Sequence, residues 1–107
     1  MNNEVHIVKR IYTRNLWNIK RNRFFEKFHR ISEYVERYLR RMDDNERAIL
    51  HKAQIRFHYR LSEESAKVEA LFGSSDPTEA YFAIDVAISN LKGALAEFEY
   101  SLEKIGF

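Results

Sequence analysis

The 107-residue chain predicts an all-α fold, an antiparallel helical bundle of three to four helices, on three observations. Helix breakers are scarce: Gly73, Gly93, Gly106 and Pro77 are the complete set, and both residue types interrupt helices. Apolar residues recur at alternating spacings of three and four along most of the chain, the signature of one buried helical face. Cap and turn signals fall at only a few points, which leaves long segments between them.

The N-terminal segment, about residues 4–20, carries Val8, Ile11, Tyr12, Leu16 and Ile19 on one side. Residues 22–42 carry Phe24, Phe28, Ile31, Val35, Tyr38 and Met42, with Arg37, Arg40 and Arg41 near the C-terminal end, where cations suit the helix dipole. At about 100° per residue these two apolar faces point roughly 150° apart on a straight helix. Two arrangements satisfy that mismatch. The chain breaks near Asn22 and four helices close one bundle, or one helix of about 40 residues runs through and buries its halves against different partners. The usual length of globular helices favours the break.

The third helix is expected over 44–72, with Leu50, Ala53, Phe57, Leu61, Val68 and Leu71 on one face and Glu64 at the rim of that stripe. Asp43, Asp44 and Glu46 make its N-terminus acidic, which the dipole favours. Gly73-Ser74-Ser75 is the turn that folds it against a last helix over 77–105. There Asp76 can cap, Pro77 suits the first helical position and Glu79 completes a capping box. Tyr81, Ile84, Ile88, Leu91, Leu95, Phe98, Leu102 and Ile105 form the stripe, and Gly106 is the expected stop. The whole chain, 1–107, reads as one helical domain, a C-terminal hairpin plus a basic N-terminal helix or helices.

Composition narrows the function classes. There is no cysteine, hence no disulfide framework or thiolate metal site. MNNEVHIVKR lacks the basic-then-apolar order of a signal peptide, and no apolar run approaches the roughly 18 residues of a membrane span. A cytoplasmic protein without a membrane contact is the expectation. The net charge of +2 is unevenly spread: through Met42 there are 11 lysines and arginines against 4 acids, and from Asp43 onward 7 against 12. Either basic and acidic helices neutralise each other within the bundle, or the basic half meets an anionic partner.

No constellation points to catalysis or to a cofactor. Glu26 and His29 have the Glu-x-x-His spacing of di-iron bundles, but that motif occurs once and flanks the apolar stripe. His51 and His58 share a face with no carboxylate at ligand spacing between them. Three scattered glycines build neither a phosphate loop nor a nucleophile turn. Arg23-Phe24-Phe25-Glu26-Lys27-Phe28-His29 resembles the element of HEPN ribonucleases in which an arginine precedes a histidine by a few residues. That resemblance implies a small helical bundle acting as a dimer, with Arg23 and His29 as the cleaving pair. The match covers seven residues, and Phe24 stands where that family usually has a polar side chain. The expectation is a protein that is not an enzyme and takes no cofactor or small-molecule substrate.

The residues singled out for partner or nucleic-acid binding are Lys9, Arg10, Arg14, Trp17, Lys20, Arg21 and Arg23. Arg10, Arg14, Trp17 and Arg21 recur at four, three and four residues and so share a face. Cations contact phosphates and an indole stacks on a base. The competing reading buries Trp17 in a core or a subunit interface beneath arginine stems. The sequence thus predicts an interaction protein that presents a basic helix to a protein partner or a second copy of itself, with sequence-tolerant nucleic-acid binding as the alternative.

Overall fold

The computed structural model describes residues 2–71 and 77–106, with side chains described from Trp17 to Leu71 and from Glu79 to Gly106. Three helices pack together: α1 (Asn2–Arg41), α2 (Asp44–Ala70) and α3 (Pro77–Lys104). No strand occurs among the described residues. The chain runs up, down and up. Phe57 meets Phe98 and Glu64 meets Asn90, so α2 and α3 are antiparallel as the sequence predicts. Lys20 meets Asp85, and Ile31 and Tyr34 lie beside Leu95, so α1 and α3 run parallel.

The expected break near Asn22 is absent, and α1 is one helix of 40 residues. Nothing in residues 2–41 is a glycine or a proline. Asn18 and Asn22 each cost about 0.7 kcal/mol or less against alanine. A break would strand up to four N–H and four C=O groups at new helix ends. Two weak penalties do not justify that loss. The face mismatch resolves at Trp17. The buried residues of α1 are Trp17, Phe24, Ile31, Val35 and Met42, spaced by sevens and fours, so the core seam continues back through Trp17. Ile19, on the other side, stays 50% exposed.

The connection from α1 to α2 is only Met42 and Asp43. Asp43 caps α2: its Oδ1 accepts from the Glu46 amide at 2.8 Å, and Glu46 Oε1 accepts from the Asp43 amide at 3.1 Å. This reciprocal box satisfies two amides that would otherwise lack partners. Its Asp-x-x-Glu spelling was legible, although the acidic run alone suggested only a dipole effect. The turn at Gly73-Ser74-Ser75 and the cap at Asp76 lie outside the described residues. At the far end Gly106 takes φ 75° and its amide reaches the Glu103 carbonyl at 3.0 Å, the left-handed stop that glycine accepts without strain.

The core is continuous from Trp17 to Leu102. Leu50, Phe57, Leu61 and Val68 enter from α2, and Ala80, Ile84, Ala87, Leu91, Ala94, Phe98 and Leu102 from α3. Burying each large side chain contributes about 1.5–3 kcal/mol. Glu64 departs from the expected rim position: it is 7% exposed, inside the seam. Its Oε1 accepts from Asn90 Nδ2 and from Lys67 Nζ, both at 3.2 Å. A buried carboxylate is tolerable only with such partners.

Gly93 lies in the middle of α3, where glycine costs about 1 kcal/mol relative to alanine. A methyl group there would meet only Arg60 Nη2, at 3.5 Å. Packing within the chain therefore does not require this glycine.

Candidate functional site

The α1 backbone outruns the bundle. Forty residues span about 60 Å, whereas the 28 of α3 span about 42 Å. The longest dimension of the molecule is 67 Å against 17 Å across. Met42 packs at the α1–α2 connection, so the surplus lies at the other end. There Lys20 stands level with Tyr81 and Asp85 at the start of α3. Residues N-terminal to Trp17 continue past that level.

The predicted binding residues separate along this helix. Lys9, Arg10 and Arg14 fall on the projecting part of α1, and their side chains lie outside the described residues. Trp17 is 7% exposed and belongs to the core, the second of its two predicted settings. Lys20 is engaged within the chain: its ammonium contacts the Asp85 carboxylate and lies 3.8 Å from the Tyr81 ring centroid. Burial pulls the Lys20 pKa down, but Asp85 and Tyr81 together outweigh it and the pKa stands raised. Arg21 reaches toward Glu69 at 3.9 Å and lies over the Phe25 ring at 5.2 Å. Arg23 is exposed. The face shared by Arg10, Arg14, Trp17 and Arg21 is thus built into the bundle from Trp17 onward. Lys20 and Arg21 bring basic α1 against acidic groups of α3 and α2, a neutralisation within the bundle.

Arg23 and His29 of the ribonuclease-like element are both exposed, six residues apart on one helix. The His29 ring stands edge-on to Phe28 at 5.6 Å. No group of three or more metal-ligating side chains gathers among the described residues, and no helix there is long and apolar enough to cross a membrane.

A cleft of about 310 Å³ lies between α2 and α3, lined by Ala53, Arg56, Phe57, Arg60, Glu97 and Lys104 among others. Across it Arg56 Nη1 donates to Glu97 Oε1 at 2.9 Å, and Arg60 donates to the other carboxylate oxygen. The Arg56 bond chiefly holds the Glu97 carboxyl below its ordinary pKa of 4.5, against a smaller opposing effect of burial, with Arg60 adding to the lowering. The charges satisfy one another, so the cleft offers a clamp between helices instead of a reactive group. A carboxyl whose folded pKa is depressed stabilises the fold above its unfolded pKa and loses that contribution as pH falls through the folded value. Glu97→Gln should therefore flatten the loss of stability below about pH 4.5. Urea midpoints of the two chains measured across that range check it; parallel curves would show that the clamp contributes nothing. The sequence reading missed this clamp because its arms lie 41 and 37 residues from Glu97. Only the i, i+4 arginine pair hinted at it.

Tyr34 donates to the Tyr38 hydroxyl at 3.3 Å, and that bond, with burial, pushes the Tyr34 pKa up to about 12. Both rings sit half-buried against the core, so this pair is structural.

Comparison with protein-family models, with curated proteins and with solved structures finds no match to this chain.

Proposed function

We propose that this chain is a non-enzymatic helical interaction protein, a regulator, adaptor or assembly subunit, whose projecting first helix engages a second copy of itself or a protein partner. One observation carries the reading. The α1 helix extends past the bundle, and Ile19 is half exposed on the side opposite the buried Trp17. By helical register Val8, Ile11, Tyr12 and Leu16 continue the Ile19 side. An apolar face of that length is costly in water and is stabilised by a covering surface.

Light scattering tests the reading against the single-chain mass of 12.9 kDa. The expected result is a mass of two chains or more, reduced to one by Ile11→Asp with Leu16→Asp, with the far-UV spectrum kept. A chain that stays monomeric at every concentration overturns self-association as its mode of action.

Nucleic-acid binding by the same segment is the second reading, supported by the exposed Arg23 and by the cluster Lys9, Arg10 and Arg14. With Trp17 inside the core and Lys20 held by Asp85, its contacts would be to phosphate. Binding to a labelled oligonucleotide would then fall steeply with salt and vanish in Arg14→Glu with Arg23→Glu. Absence of binding at low salt ends it.

A further inference from the structure

The outer face of α3 differs from that of α1. Along the bundle α1 shows solvent an ordinary charged surface, laced by the Glu26–Arg30 and Glu36–Arg40 pairs. Opposite its core seam, α3 shows Phe82, Val86, Ser89, Gly93, Ala96 and Tyr100, spaced four, three, four, three and four, and every one of them is exposed. Phe82 and Val86 are each 61% exposed. This is a second helix-packing seam with no charge in it. It also contains Gly93, which packing within the chain leaves unexplained and which would let another helix backbone approach closely.

From the seam and from the length and direction of the projection, we infer that the α3 outer seam is the dock for the projecting α1 segment of a second copy of this chain. The inference rests on the self-association reading above and names its surface. Charge is compatible with that occupant: residues 2–16 carry Lys9, Arg10 and Arg14 against Glu4, and the outer seam itself carries no charge. The corresponding outer stripe of α2 is interrupted by Lys52, and that helix has five acids and five bases. Length selects the geometry. The projection leaves the bundle at the end where α3 begins. Two copies abutting at that end about a two-fold axis send each projection back along the other's α3, antiparallel to it. The reach of about 20 Å then covers Phe82 to Gly93, about 17 Å of helix. In that register Tyr12 falls near Phe82, and Val8 near Val86, of the other copy. The contact is reciprocal and closed, so it stops at two chains.

The absence of cysteine makes the test direct, because a disulfide between single-cysteine chains must be intermolecular. Full-length Val8→Cys is mixed with tagged Val86→Cys or with tagged Tyr100→Cys and oxidised. The mixed 8–86 disulfide should form in several-fold excess over both 8–100 and 8–8. An 8–8 product in excess, or equal yields at 86 and 100, overturns the dock. Light scattering on Phe82→Lys with Val86→Lys, both surface changes, should show one chain at concentrations where the parent shows two. A parent that is monomeric throughout removes the inference together with the reading it rests on. A dimeric parent whose double-lysine variant is still dimeric removes the dock alone and leaves self-association standing. Gly93→Ala adds a readout that a merely structural glycine would not give: the thermal midpoint should rise at low protein concentration while dimerisation weakens several-fold. Unchanged dimerisation would count against the close approach.

Discussion

Phe24→Ala should lower the unfolding free energy by about 3–5 kcal/mol, one of the two largest losses expected from a single change in this molecule. Phe24 is fully buried where α1 meets the other helices, with Phe25 edge-on at 5.1 Å and Phe28 at 6.3 Å. Removing the ring forfeits its transfer free energy and leaves a cavity that rigid helices on three sides cannot fill. Domains of this size are stable by about 5–15 kcal/mol in total, so the variant sits near its folding threshold. Tyr59→Ala is the control, an aromatic that is exposed on α2 and should move stability by about 0.5 kcal/mol or less. Urea unfolding followed by circular dichroism measures both. Equal effects would mean that the seam through Trp17, Phe24 and Ile31 does not form the core.

Asn22→Pro should cost about 3 kcal/mol or more, because Asn22 lies in the interior of a continuous helix. Proline removes the amide that bonds the Asn18 carbonyl and drives its ring into that same carbonyl. The change separates the two arrangements that the sequence allowed. At a break, proline near the first position of a new helix is well tolerated. Inside one long helix it uncouples the projecting segment from the bundle. A loss below about 1 kcal/mol, read from the same urea transitions, would mean the chain already bends there.

What was legible in the sequence was what short-range periodicity controls. The α2 and α3 stripes, the α2–α3 pairing and the Gly106 stop follow from residues a few positions apart, each reporting on the same helix. The break at Asn22 was misread because the switch of apolar face was given to chain geometry. It belongs instead to one continuous helix whose core seam runs through Trp17 while Ile19 stays half exposed, and periodicity alone does not tell a break from a change of face. Glu64 was placed at the rim because its charge outweighed its register, yet Asn90, far along the chain, provides the partner that lets it enter. The Arg56–Glu97–Arg60 clamp was illegible for the same reason. Of the predicted binding residues, the sequence grouped Trp17 with the arginines by face, and the structure shows that this face runs into the core.

Glu64 also bears on which side of α3 faces the bundle. Helix α3 is apolar on two sides, but unequally: the inward side carries Ile84, Leu91, Phe98 and Leu102, the outward side Phe82, Val86 and Tyr100 spaced by Ser89 and Gly93. Rolled by half a turn, α3 could still offer Phe82, Val86 and Tyr100 to the α1–α2 pair, but Asn90 would leave Glu64 and a buried carboxylate would lose its amide. Losing a hydrogen-bond partner costs a buried polar group about 1–3 kcal/mol, which adds to the apolar advantage of the inward side. Glu64, the one buried acid among the described residues, thus marks the orientation: its amide partner is present only when the Ile84–Leu91–Phe98 side faces inward.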